Sequence, residues 1–319
     1  MVPRAATKRS PITNARLGNN LFLILLGILV TTLTVILCMM LAFYINLPAA
    51  DIIPEEPEPE IVVEPEEPEE PEPPVIKTID FQGVVDDWAN SNRGTKGVYI
   101  YDLDLDKTVG AYNADATYDT ASLYKLFVVY EGYRRVNSGI WNADDTVGQT
   151  GHNVIECLDL AIRESNSPCA ETLWSWIGYE ELDETIQNEF RITNSEISSL
   201  RSNAQDIAKM LRIYYTHKDV TKSELVSRMI DSFLNQPVTI YDWRMGLPRG
   251  FSDNVSVYNK VGWLYDGEKW KIYHDAAIVD FPEQNRRFIV VVMTYSMTPN
   301  QIRKLAESIE NSFYEQFNS

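Results

Sequence analysis

Histidine and cysteine are scarce in this chain, with three of each in 319 residues. His152, His217 and His274 stand far apart with no paired spacing, which leaves a metal centre without ligand pairs; no cofactor is implied. Basic residues are short as well. Against 46 Asp and Glu there are 28 Lys and Arg, a formal net charge of −18, which argues against a nucleic-acid partner. The shortage is uneven: not one Lys or Arg falls between Arg16 and Lys77. No internal repeat is present.

Within that cation-free stretch, Leu21 to Ile45 carries no charge at all. A helix needs about 20 such residues to cross the hydrocarbon layer, whereas a secretory signal core spans about 7 to 15 and ends at a small-x-small site. Asn46-Leu47-Pro48-Ala49-Ala50 fits that site poorly, so an uncleaved anchor over 21–45 is expected. The tail 1–20 holds Arg4, Lys8, Arg9 and Arg16 and no acid, which keeps it cytoplasmic and puts everything after the span outside. Residues 46–75 follow, with PEEPEPEIVVEPEEPEEPEPP at their centre. Proline and repelling glutamates build no core and favour an extended spacer, reaching about 65 Å at about 3.1 Å per residue. Much of the net negative charge sits there, so it says little about the folded part.

Residues 76–319 suit one compact domain. Phe81, Val84, Val85 and Trp88 recur at helical spacing, predicting a helix over 79–91. VYIYDLDLDKTVGAY reads as a hairpin around an Asp-rich turn. Helices are predicted over 122–136, 153–164, 168–178, 203–216 and 222–235, and strands at VSVYNKVGW, KWKIYHDAAIVD and RRFIVVVMTY. The last strand is apolar almost throughout, as for a central strand covered on both faces. Thr298 caps a final helix with Pro299 in its first turn. The order helix, two strands, helical block, three strands, helix implies an α+β fold: one mostly antiparallel sheet, terminal helices on one face, and a helical lobe beside it.

TASLYKLFVVY places Ser122 and Lys125 one turn apart on a helix otherwise bound for a core. Positions i and i+3 share a face, so the hydroxyl and the amine can meet. A lysine drawn into a cleft loses hydration and gains basicity as a neutral amine, and an activated serine needs such a neighbour. The spacing alone is equally that of a capped surface helix.

YDTASLYKLFVVYEGYRRV, ECLDLAIRESNSPCAETLW, LPRGFSDNVSVYNKVGW and HDAAIV, taken in order, resemble the class A serine β-lactamases and related penicillin-binding proteins over 79–319. That resemblance implies a five-stranded antiparallel sheet with flanking helices plus an all-helical lobe. It implies Ser122 as nucleophile and Lys125 as general base. The second motif falls on Ser165-Asn166-Ser167, with Ser165 passing a proton to the leaving nitrogen and Ser167 as a substrate contact. Ser167 has a structural alternative, as N-cap ahead of Pro168. The third motif falls on Lys260-Val261-Gly262, Lys260 supplying positive charge and Gly262 a close approach of the strand. Backbone N–H groups of Ser122 and Trp263 would form the oxyanion hole.

Three departures qualify the resemblance. Val261 has no hydroxyl for a substrate carboxylate. Ser252-Asp253-Asn254 matches the second motif literally but lies in a turn before the third, where a polar turn is expected. Relatives of this family deacylate with a loop glutamate, whereas FRITNSEISSLRSNAQDIAKML looks shortened and Glu196 is expected to be a solvated loop residue. The expectation is thus a membrane-anchored extracytoplasmic serine hydrolase cleaving a β-lactam through a Ser122 acyl-enzyme. The alternatives are a penicillin-binding peptidase with slow deacylation, acting on a peptidoglycan peptide, and a non-catalytic binding module. Cys157 and Cys169 can pair across the Ser165 loop. The oligomeric state is left open.

Overall fold

The computed structural model describes residues 76–216 and 245–319. The tail, the uncharged run, the Pro/Glu segment and the expected helix over 222–235 lie outside the described residues. Among those described, no helix is long and apolar enough to cross a membrane.

The chain opens with α1 (Gln82–Ser91), β1 (Thr95–Asp102) and β2 (Lys107–Tyr112). After β3 (Tyr118–Asp119) a 3₁₀ turn over Ala121–Tyr124 runs into α2 (Lys125–Asn137). The helical lobe continues through α3 (Val154–Arg163), α4 (Ser167–Ile177), α5 (Tyr179–Asn188), β4 (Arg201–Ser202) and α6 (Ala204–Thr216). The chain closes with β5 (Ser256–Tyr265), β6 (Trp270–Phe281), β7 (Arg286–Tyr295) and α7 (Pro299–Asn318).

Five strands form one sheet in the order β2-β1-β7-β6-β5, with every neighbouring pair antiparallel. Alternation across β7 explains its apolar run. Ile289, Val291 and Met293 enter the core shared with α2 to α6, while Phe288, Val290 and Val292 enter the core under α1 and α7. A strand covered on both faces has no wet side for polar residues. Buried Asp102 and Arg286 pair inside this frame, and Arg287 reaches Asp104 at 2.8 Å, tying the first hairpin to β7.

Most predicted elements match. Helix α5 was not anticipated, because YEELDETIQN offers only Leu182 and Ile186 as apolar anchors, with charges between. Gly178, at φ 95°, lets α4 break directly into α5, a conformation that L side chains resist. The two-residue strands β3 and β4 are too short to leave a period in sequence. Cys157 and Cys169 are joined in a disulfide with Cα atoms 4.9 Å apart, fastening α3 to α4 on either side of the Ser165 turn.

Candidate active site

The turn that carries Ser122 is held from several sides. β3 pairs with β4, and the Thr120 N–H donates to Leu200 O at 2.8 Å. Asp119 N–H donates to the Tyr295 hydroxyl (2.7 Å), and Asp119 Oδ1 accepts from Ala121 N (2.8 Å). Ala121 itself sits at φ 43°, a left-handed conformation that costs a non-glycine residue of order 1 kcal/mol or more and persists only where its surroundings impose it. Edge strand β5 runs alongside. A Cβ added to Gly262 would lie 2.7 Å from Thr120 O and 3.1 Å from Ser122 N, so only glycine admits this approach.

Beneath the turn lies His274, fully buried and paired across the sheet with Gly262. Its Nδ1 accepts from the Thr294 N–H at 2.9 Å, which puts the ring proton on Nε2, 2.7 Å from Asp119 O. Burial holds this imidazole down to about 4, the Asp119 carbonyl acting in the opposite direction. The unfolded chain therefore takes up a proton at about 6.5 that the native site refuses until about 4. The stability that neutral His274 contributes is fully present above pH 6.5 and is lost as pH falls toward 4, by about 3 kcal/mol. Denaturant melts from pH 7 to pH 4 should show that slope, and His274→Gln should flatten it; equal slopes would remove His274 as its source.

Lys125 is fully buried, and its Nζ meets four oxygens: Ser122 Oγ (3.2 Å), Ser165 O (2.6 Å), Ser165 Oγ (3.2 Å) and Ser167 Oγ (3.0 Å). Burial pushes this amine down to about 8, with the Glu171 carboxylate opposing. A neutral amine keeps two N–H groups for the Ser165 carbonyl and Ser167, and its lone pair can face the Ser122 hydroxyl. Ser165 adopts φ 55°, which turns both its carbonyl and its hydroxyl onto Lys125.

Ser167 is not the cap of α4. Asn166 is, its side chain accepting from Cys169 N at 3.0 Å, with Pro168 in the first turn. Either residue could have capped. With Asn166 as the cap, the helix starts one residue earlier than expected and the Ser167 hydroxyl is left for Lys125.

From the sheet side, buried Lys260 donates to Ser165 Oγ (2.9 Å) and to Val261 O (2.7 Å). Burial holds its amine well below the ordinary lysine value; the nearby Lys125 adds to this and Asp275 opposes it. Asp275 is itself buried and accepts from Asn259 Nδ2 and Leu247 N, both at 2.8 Å. Strand alternation sends Lys260 and Gly262 toward the Ser122 turn, whereas Val261 and Trp263 pack on the opposite face, Trp263 beside Trp270 with ring centroids 5.7 Å apart. Ser122, Lys125, Ser165, Ser167 and Lys260 are thus joined in one hydrogen-bonded chain, and Gly262 touches its backbone.

The literal Ser252-Asp253-Asn254 stays apart, with Ser252 N–H donating to Glu310 on α7 at 2.7 Å, on the far face of the sheet. Glu196 is exposed, pairs through its backbone with Arg201, and lines an open groove of about 620 Å³ with Glu180, Asp183 and Glu184. Among the described residues no group of three His, Cys, Asp or Glu side chains gathers as a metal site. His274 and Asp275 escaped sequence reading; their place in β6 opposite Gly262 and Val261 is a matter of register.

A family model described as the beta-lactamase enzyme family matches residues 80–317. No curated protein sequence matches the chain. Among solved structures, PBP-A is similar at 16% identity and a TM-score of 0.63, over 75% of this chain and all of that one. An ancestral class A beta-lactamase (GNCA) is similar at 17% identity and 0.62, over 73% of this chain and all of that one. A class A beta-lactamase from Mycobacterium abscessus is similar at 18% and 0.59, over 72% and 99%. At such identities the likeness is one of fold.

Proposed function

The chain belongs to the beta-lactamase enzyme family, and from that premise we propose that it is a serine hydrolase that opens a β-lactam amide through an ester at Ser122. The observation that carries the reading is the hydrogen-bonded chain from Ser122 through Lys125 and Ser165 to Lys260. Neutral Lys125 takes the Ser122 proton as Oγ attacks the amide carbon. The oxygen of the tetrahedral intermediate is held by the backbone N–H groups of Ser122 and Trp263. As the C–N bond breaks, Ser165 gives its proton to the nitrogen and recovers one from Lys125. The charge of Lys260 favours the Ser165 oxyanion while the proton is in transit and attracts a substrate carboxylate.

A second reading, a penicillin-binding peptidase that acts on cell-wall peptides and deacylates slowly, is favoured by one observation. Glu196 belongs to the acidic outer groove. Incubating the full-length chain with a fluorescent penicillin separates the two. The first reading expects label that forms and clears within minutes; label that persists for hours supports the peptidase, and no label at all removes both.

The domain is placed outside the membrane on a tether in this reading: tail 1–20, span 21–45, spacer 46–75 and enzyme 76–319. The uncharged run and basic tail support it, and so does the Cys157–Cys169 disulfide, which suits an oxidising compartment.

A further inference from the structure

We propose, building on the oxyanion hole assigned above to the backbone N–H groups of Ser122 and Trp263, that His274 is the positioning residue that holds those two donors at one spacing.

The donors belong to separate elements. One stands on the turn that follows β3 and the other on edge strand β5, and the chain between them is far too long to fix their distance. His274 bridges them. On β6 it is the cross-strand partner of Gly262, the residue before Trp263, and its Nε2–H reaches the Asp119 carbonyl, three residues ahead of Ser122, at 2.7 Å. Nδ1 is filled by the Thr294 N–H of β7 at 2.9 Å, so the ring can neither flip nor change tautomer without losing that bond. Tyr118 and Tyr295 pack edge-on against it, with centroids 6.1 and 6.4 Å away, and burial keeps it neutral, so that Nδ1 stays an acceptor. The same Tyr295 accepts from the Asp119 N–H, and Asp119 Oδ1 accepts from Ala121 N. Asp119 is thus gripped on both sides and passes its position to the left-handed Ala121 and on to Ser122.

Because both ring nitrogens are occupied, His274 carries no proton to or from Ser122. Its effect on the reaction is geometric. A Cβ on Gly262 would meet Thr120 O at 2.7 Å, so strand and turn touch with no slack between them. The donors of an oxyanion hole work at about 2.7 to 3.1 Å from the developing charge, and a misplacement of about 1 Å costs about a hundredfold in rate. Without the imidazole the Asp119 carbonyl loses a donor from the sheet, and the turn is free to draw away from β5.

Two near-isosteres separate the bonds of the ring. Asn places an acceptor where Nδ1 stands but is too short to reach Asp119, whereas Gln places its amide N–H near the position of Nε2. The test follows acylation of the full-length chain by a fluorescent penicillin over a range of concentrations. His274→Asn should lower the maximal rate by about a hundredfold, with the half-saturating concentration within about threefold of wild type. His274→Gln should recover that rate to within about tenfold of wild type. A side chain that only fills space behaves otherwise: fewer chains take label, and those that do keep the wild-type rate, an outcome that overturns the proposal. Asn and Gln variants slowed alike, or a change in half-saturating concentration alone, overturn it too. Wild-type protein supplies a check that needs no folded variant. In protein carrying isotope-labelled histidine, the Nε2–H resonance of His274 should shift as the Ser122 ester forms; a resonance identical in free and acylated protein overturns the strut. A wild type that takes no label removes the acyl-enzyme reading itself, and this proposal with it, before any variant is compared.

Discussion

Ser122→Ala leaves the full-length chain unlabelled by a fluorescent penicillin, with covalent capture falling by about a thousandfold or more. The expectation follows from the absence of a replacement at the same place. Ser165 and Ser167 both touch Lys125, at 3.2 and 3.0 Å, but Ser165 is also hydrogen-bonded by Lys260 and Ser167 opens a helix whose backbone is anchored by the Asn166 cap. Ser122 lies where strand β5 comes closest, its backbone N–H 3.1 Å from where a Cβ on Gly262 would stand. Intact-mass spectrometry reads the outcome directly. Wild type gains the mass of one opened penicillin, and the variant gains none. An adduct of equal yield on Ser122→Ala would move the nucleophile elsewhere and dissolve the proposed mechanism.

Lys125→Arg is expected to slow acylation by about a thousandfold even though the positive charge is kept. A guanidinium never yields a lone pair at these pH values, so the substitution separates charge from basicity. In the wild type, acylation should rise with pH through a midpoint of about 8, where the buried amine loses its proton, and level off above it. Stability should carry the same signature. The folded pKa lies near 8 against 10.5 for an ordinary lysine, so the unfolded chain binds the extra proton between those values. The stability gained from a neutral Lys125 is complete above pH 10.5 and is lost as pH falls toward 8, a change of about 3 kcal/mol. Denaturant melts of wild type and Lys125→Met over that range should differ in slope by this amount. A wild-type acylation rate flat from pH 6 to 9 would show that Lys125 is not the base.

Such a site trades stability for reactivity. Lys125 and Lys260 converge on one hydroxyl, at 3.2 and 2.9 Å, inside a domain that excludes water from both. Burial disfavours the charge on both, and Lys125 adds to the depression of Lys260, so each amine gives up its proton more readily than an ordinary lysine. Left-handed Ala121 and Ser165 flank the same cluster. Non-glycine residues at positive φ do not assemble there without surrounding contacts to hold them, and the bonds to Asp119 and Lys125 are those contacts.

Comparison of sequence and structure shows where local reading stops. The hairpin, the strand β7 and the terminal helix were legible because their periods are complete within ten to twenty residues. Ser122 and Lys125 were legible as a pair for the same reason, being one turn apart. The assignment of Ser167 as a cap failed. Adjacent Asn166 has an equal claim to that position, and in the fold its side chain, not that of Ser167, accepts from the Cys169 N–H. Helix α5 failed because packing, not periodicity, makes it a helix: only two apolar side chains face the core.

What the amino-acid sequence determined by itself was the alternation of elements, the two-sided burial of β7, and the presence of a serine and a lysine on one helical face. Those depend on spacing along the chain and on the partition of apolar side chains from water. Only the tertiary structure decided that Ser165, 40 residues from Lys125, and Lys260, 95 residues from Ser165, close on the same hydroxyl network. It likewise set His274 beneath the turn that carries Ser122. Hydrogen bonds reach about 3 Å and carry no trace along the chain of the fold that brings their partners together.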